Sequence, residues 1–225
     1  LATNDFHRQL APEDGHGGAA YLAAHLQAAG ADDPGTLVVD VGDMTGSGTN
    51  GYGLPGGVAD EATVDVMNAI GLDVTAAGNH EFDGGLAELY RLRDGGCYAD
   101  DCGYRGDQPH AGAVFETLAA NVHHADTGES VYPAWTIREV SGVRVGLVGA
   151  TNVTTIERRD FVDVTTSEVF DAVSAASDDA MAAGADFVVV LLHDGSRQTG
   201  TPATPNTCAA PSGNSTWYLP WLPDS

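Results

Sequence analysis

Apolar residues recur along this chain with two alternating periods. After Gly17-Gly18, Leu22, Ala23, Leu26 and Ala29 return at helical spacing, and TLVVDVGD, Thr36 to Asp43, then reads as a buried strand. A second helix is predicted from Asp60 to Ile70, with Ala62, Val66, Ala69 and Ile70 on one face. A strand over Leu72 to Ala77 follows, then a helix around Leu86 to Arg93 and a short strand in TLAANV, Thr117 to Val122. AWTIREVSGVRVGLVGAT predicts two strands joined by the two-residue turn Ser141-Gly142. Thr165 and Glu168 have capping-box spacing before a helix with Val169, Val173, Ala176, Ala180 and Ala183 inward. FVVVLLH, Phe187 to His193, is the last clear strand.

Strands alternating with helices, plus one hairpin, predict an α/β sandwich with mixed sheets. The domain is expected over residues 1–196. Residues 197–225, rich in Pro, Thr and Ser and without a period, are expected to be a loop or tail of the same domain.

The strand ends are unusually polar. TNDFH delivers Asp5 and His7, two apart and therefore on one side of an extended chain; VGD delivers Asp43; GNHEFD delivers Asn79 and His80; LLHDG delivers His193. Loops at the carboxyl ends of strands are where α/β folds bind ligands. Singly, an Asp-x-His pair, a Gly-Asp turn or a terminal His is unremarkable; four in this order point to one cleft. A mixed oxygen and nitrogen set suits borderline or hard divalent ions. Two such ions would share a carboxylate, and Asp43, central in the order, is the natural bridge. Asn79 is then a ligand, His80 faces the substrate, and Asp83 can orient its imidazole.

Composition adds two constraints. The chain of 225 residues carries 32 acidic and 9 basic side chains, a net charge of −23, and every basic residue is arginine. Such a surface repels polyanions, which argues against a nucleic-acid polymer as partner. No apolar run is long enough to span a membrane, and no basic, apolar leader opens the chain. Cys97 and Cys102 sit in GGCYADDCGY, a polar glycine-rich loop, so a disulfide and an oxidising compartment are expected. Zinc is the rival reading, without a second cysteine pair to complete it. Cys208 is left over, with its partner expected outside the chain.

NDFH, VGD, GNHEFDGG, AANV, GVRVGLVGATN and LLHDGS together resemble the ordered blocks of the 5′-nucleotidase family of calcineurin-like metallophosphoesterases. The resemblance covers nearly all of residues 1–196. It implies a four-layer αββα sandwich with two mixed sheets, and a dinuclear metal site that hydrolyses nucleotides or related phosphate esters outside the cell or at the cell wall. Asp5 and His7 would bind the first metal, Asp43 would bridge, and Asn79 and His193 would bind the second. His80 and Asp83 match the catalytic dyad. The ions would be zinc or manganese, with magnesium, cobalt or calcium as further options. Cyclic nucleotides, nucleotide-sugars and sulfur esters are substrates of related enzymes, and a non-catalytic domain keeping the fold is the alternative.

Two departures stand out. Arg8 occupies a position where the family usually has glycine, so the loop at the site entrance is expected to differ. The family's Gly-His-x-His block and C-terminal substrate-binding domain are absent before Ser225 and are expected outside this chain. Among the remaining residues, His16, His110, His123 and His124 read as surface histidines and His25 as a boundary residue on the first helix. Asn121 is expected to satisfy backbone groups near the site. Asp40 and Glu81 are candidates to support the ligands. Trp217, Tyr218 and Trp221 are expected to pack against the missing domain.

Overall fold

Three of the four strand ends that carry polar clusters belong to one parallel sheet. Its strands are β1 (Ala2–Thr3), β2 (Val39–Asp40), β3 (Val74–Ala76) and β4 (Glu116–Leu118), in that spatial order. The computed structural model describes residues 1–195 except 13, 14, 16, 32, 34, 47–55, 98–101, 103–107, 154, 155 and 157–162, with only the backbone of 56–59. His16, Cys208, Trp217, Tyr218, Trp221 and the 197–225 tail therefore lie outside the described residues. The chain divides into Leu1–His193, whose fold follows, and Asp194–Ser225, of which residues 194 and 195 are described.

The second sheet has the order β6-β7-β9, from Trp135–Val140, Val143–Thr151 and Phe187–His193. β6 and β7 form the expected hairpin, and Ser141 and Gly142 at its tip both have positive φ, 52° and 82°. That is the conformation a two-residue turn needs to follow strand twist. β7 and β9 are parallel, so this sheet is mixed, whereas the first is parallel throughout its described strands. The two-stranded antiparallel sheet of β5 (Val122–His124) and β8 (Val164–Thr166) was not foreseen.

Three packed interfaces define four layers. Helices α1 (Ala19–Gly30), α2 (Gly56–Ile70) and α3 (Gly85–Asp94) contribute Leu22, Val64, Met67 and Leu92 to one apolar cluster, completed from the loops by Phe6, Met44 and Phe115. Val39, Val74, Ala76 and Leu118 of the first sheet meet Val145, Leu147 and Leu191 of the second. On the far side of the second sheet, α4 (Val169–Ala182) packs Ala172, Val173 and Ala176 against Val148 and Val188. This is the αββα order.

Several local expectations are corrected. The strand expected over 36–43 is regular only at Val39–Asp40, because Gly42 and Asp43 turn away with φ of 99° and 56°. The segment 117–122 is not one strand: Asn121 turns the chain, accepting from the Thr151 N–H at 3.0 Å and donating to its carbonyl at 2.9 Å. Asn121 thus satisfies backbone groups, as expected. The capping box does not form. Thr165 is committed to β8 opposite His123, and Glu168 stands at the N-cap with no side-chain cap bond.

His110 is buried at 3% exposure, contrary to its reading as a surface residue. Its Nδ1 accepts from the Gly112 N–H at 3.1 Å, and its backbone pairs with Gly96. His123 and His124 lie half-buried in β5, paired with Ser167 and the Tyr90 hydroxyl. Cys97 and Cys102 are joined by the expected disulfide.

Candidate metal centre

The turn after β1 brings the first two polar residues together, though not by the expected route. Asp5, His7 and Arg8 have φ of 52°, 46° and 58°, so the chain coils in the left-handed region instead of running extended. The Asp5 and His7 N–H groups donate to the carbonyls of Gly42 and Asp43, at 3.0 and 2.9 Å. This stitches the β1 turn to the β2 turn. Arg8 takes the conformation that glycine holds without steric cost. Its guanidinium turns inward onto Asp60 of α2, with Nη2 to Oδ2 at 2.6 Å, and Asp60 also accepts from the Gly46 N–H at 3.0 Å.

Close backbone approach sets the next corner. A Cβ on Gly42 would lie 2.6 Å from the Gly78 nitrogen, so the β2 and β3 turns touch where only glycine fits. Glu81, in the 3₁₀ turn His80–Phe82, locks this contact. Its buried carboxylate accepts from the N–H groups of Asp43 (2.8 Å), Thr45 (2.9 Å) and Gly78 (2.6 Å). Burial and the nearby Asp43 charge push this carboxyl up to about 7, against the N–H donors, which favour its ionised form.

Asp40 lies behind the site in a polar row. It accepts from the hydroxyls of Thr3 (2.7 Å) and Thr75 (3.2 Å) and from the Gly42 N–H (2.9 Å). Burial raises its carboxyl to about 6, while those three donors pull the other way. Asp40 and Glu81 both support the turns that present candidate ligands.

Asp5, His7 and Asp43 form the centre, each offering a ligand atom within 4.8 Å of the others. His7 Nε2 lies 3.4 Å from Asp5 Oδ1 and 3.6 Å from Asp43 Oδ2. His193, at the end of β9, places Nε2 3.2 Å from the same Asp43 oxygen, while its Nδ1 lies 2.9 Å from the Val41 carbonyl. A carbonyl only accepts, so Nδ1 carries the proton and Nε2 faces Asp43. The Asp43 carboxylate thus touches histidines from both sheets, and its Oδ1 accepts from the His80 N–H at 2.8 Å.

Burial would raise the Asp43 carboxyl, but His193 and the His80 N–H hold it below its ordinary value. Burial likewise lowers His193, yet Asp43 outweighs it and the imidazole rises to about 9. Two carboxylates and two imidazoles facing one another are mutually repulsive unless protons or cations lie between them. Among the described residues the buried His7 Nδ1 has no hydrogen-bond partner, so no second contact there fixes the other ring nitrogen as a donor. The donor chemistry fits divalent cations.

His80 is set differently. Its Nδ1 lies 2.7 Å from Asp83 Oδ2, which fixes the proton on Nδ1. Its ring stands edge-on to His7, with centroids 5.1 Å apart. Asn79 begins the same turn and is buried, but its amide forms no hydrogen bond with another described residue. The structure therefore gathers Asp5, His7, Asp43 and His193, sets the His80–Asp83 pair beside them, and leaves the Asn79 amide without a hydrogen bond among the described residues. The Arg8–Asp60 support escaped the sequence reading, because nothing marks Asp60 among the acids of α2.

Residues 1–218 match the family described as calcineurin-like phosphoesterase. The chain is 31% identical to the endonuclease YhcR of Bacillus subtilis, covering 91% of this chain and 17% of that protein. It is 31% identical to the cell wall protein Lmo0130 of Listeria monocytogenes, covering 91% of this chain and 28% of that protein. Among solved structures, a 5′-nucleotidase precursor from Thermus thermophilus superposes with a TM-score of 0.62 at 26% identity, over 85% of this chain and 36% of that one. The chain thus spans well under half the length of these three proteins.

Proposed function

The chain belongs to the calcineurin-like phosphoesterase family, and on that premise we propose that it is the metal-binding portion of a secreted phosphoesterase acting on nucleotides. The observation that carries this reading is the meeting of Asp5, His7, Asp43 and His193 beside the oriented His80–Asp83 pair. Asp5, His7 and Asp43 would hold one divalent ion, and Asp43, Asn79 and His193 a second. When bound, such ions supply Lewis acidity and an acidified water.

The chain's own residues do the rest. Asp83 accepts from Nδ1–H and holds the ring in place, so that in the protonated imidazolium Nε2 can donate to the phosphoryl or leaving oxygen as charge develops. Glu81 and the paired glycines hold the ligand turns in register, so the donors are aimed before substrate arrives. Secretion is supported by the disulfide and by the likeness to a cell wall protein.

A second reading, cleavage of nucleic-acid polymers, draws on the likeness to a protein named an endonuclease. A net charge of −23 disfavours it, since a polymer presents many phosphates to the whole surface while a mononucleotide meets only the cleft. Phosphate release from nucleoside monophosphates, compared with cleavage of single-stranded oligonucleotides, tests both. Both are measured with added manganese or zinc and with chelator. Chelator-sensitive release from the monophosphates supports the first reading. Faster turnover of the oligonucleotides would replace it with the second, and no metal-dependent turnover of either would remove both.

A further inference from the structure

Thr151, the last residue of β7, is wholly buried, and its Oγ1 has no hydrogen-bond partner among the described residues. A buried hydroxyl in that state lowers stability, so a group that meets it in the working molecule is called for. Its place beside the candidate centre follows from register. Thr151 pairs with His193 across the parallel strands β7 and β9. Val145 and Leu147 of β7 and Leu191 of β9 face the first sheet, so alternation turns Thr151 and His193 the same way.

The elements that bracket Thr151 also bracket the corner carrying Asn79. On one flank the Asn121 amide holds both backbone groups of Thr151, and Leu118 of the same segment accepts from the Ala77 N–H at 2.9 Å. On the other flank His193 reaches Asp43, whose Oδ1 accepts from the N–H of His80, the neighbour of Asn79. The other polar groups at this corner are committed. His193 has Nδ1 on the Val41 carbonyl and Nε2 against Asp43, and both ends of the Asn121 amide are taken. That leaves the amide of Asn79, a residue only 8% exposed, which makes no hydrogen bond among the described residues.

We propose that Thr151 is a positioning residue for the second cation: its Oγ1 accepts from the Asn79 Nδ2–H, which turns the amide oxygen toward the ion. The bond forms as the ion engages that oxygen. The assignment rests on the reading of Asn79 as a ligand, and it gives β7 a part in a centre otherwise built from the turns after β1, β2 and β3 and the end of β9.

The test compares Thr151→Val, which keeps the branched shape and removes the hydroxyl, with Thr151→Ser, which keeps the hydroxyl. In chelator, Thr151→Val should melt at or above the parent, because an unmet polar group is removed and no hydrogen bond is lost. In calorimetric titration of the full chain with manganese, Thr151→Val should weaken one equivalent about tenfold, and Thr151→Ser should retain it. In an Asn79→Ala background the Val change should have no further effect on affinity, which ties the two side chains to each other. A lower melting temperature of Thr151→Val in chelator, equal manganese affinity of Thr151→Val and parent, or an undiminished loss in the Asn79→Ala background would each overturn the positioning role. A parent chain that takes up no manganese would remove the metal centre and this role together. Thr151-dependent uptake in a chain that releases no phosphate would count against the phosphoesterase reading alone.

Discussion

Glu81 and Asp43 are two acids side by side, with the Glu81 carboxylate accepting the Asp43 backbone N–H at 2.8 Å. The contact holds the backbone of one acid with the carboxylate of another, and the N–H groups of Thr45 and Gly78 donate to the same carboxylate. Removing it would strand three buried N–H donors at the heart of the candidate centre, each costing about 1–3 kcal/mol if left unmet. Glu81→Ala should therefore lower the unfolding free energy by at least about 3 kcal/mol in urea titrations and reduce metal retention. Glu81→Gln, keeping one acceptor oxygen, should fall between. An Ala variant as stable as the parent would show that Glu81 does not hold these turns.

Adjacent residues in GNHEFD should fail in different ways. Asn79→Ala should weaken one metal equivalent, with added metal restoring part of the activity. His80→Ala should leave metal content intact and lower turnover by about 10²–10⁴, the range for a positioned acid–base group. Asp83→Ala should be a milder version, because it frees the imidazole that now lies 2.7 Å from its carboxylate. Metal analysis beside steady-state kinetics separates the roles. If His80→Ala loses its metals, His80 is a ligand.

Metal uptake should depend on pH through His193. Its metal-free pKa, raised from 6.5 to about 9, means that the folded chain holds a proton there more tightly than the unfolded chain does. The stabilisation this gives the metal-free fold is complete below 6.5 and disappears as pH rises through 9. A cation must displace that proton, so apparent affinity should climb about tenfold per pH unit within the window if one proton is released. Calorimetric titration with manganese in buffers of different ionisation enthalpy measures both affinity and proton count. Affinity independent of pH, with no proton released, would remove His193 from the ligand set.

The Arg8–Asp60 pair should behave as a unit. Both side chains are largely buried, at 13% and 8% exposure, and Asp60 also holds Gly46. Arg8→Ala should cost about 3 kcal/mol or more by leaving Asp60 uncompensated. Adding Asp60→Ala should cost much less than the sum of the two single changes. A double-mutant cycle with additive effects would mean the pair is merely adjacent.

Hydrophobic periodicity gave the helices, the hairpin and the long strands β7 and β9, even though α1 has no fully buried residue and Phe187, Val189 and Val190 of β9 stay exposed. It overextended the strands that end at the site. Val38 already donates to the Asp73 side chain at 2.8 Å, and Asp5, His7 and Asp43 sit in left-handed turns that no period encodes. The identities of the candidate donors were legible from their order after strands. Their convergence depends on Gly42 against Gly78 and on Glu81 reaching the backbone of Asp43 and Thr45, contacts between segments far apart in the chain. Buried His110 was misread because its polar neighbours in sequence gave no sign of the Gly96 pairing.

The left-handed residues at the centre carry a consequence for breeding a hardier protein. Asp5, His7, Arg8 and Asp43, with φ of 46° to 58°, each hold a backbone shape that costs a side-chain-bearing residue about 1 kcal/mol or more. Substitution by glycine or asparagine would relax that shape. At Asp5, His7 and Asp43 it would also delete a candidate donor, and at Arg8 it would break the tie to Asp60. A selection for heat resistance alone would be drawn to the first three positions, and its winners would keep the sandwich while losing their grip on cations. Heat-hardening of this chain therefore has to be paired with a metal-retention screen, or sought on the outer faces of α1 and α4.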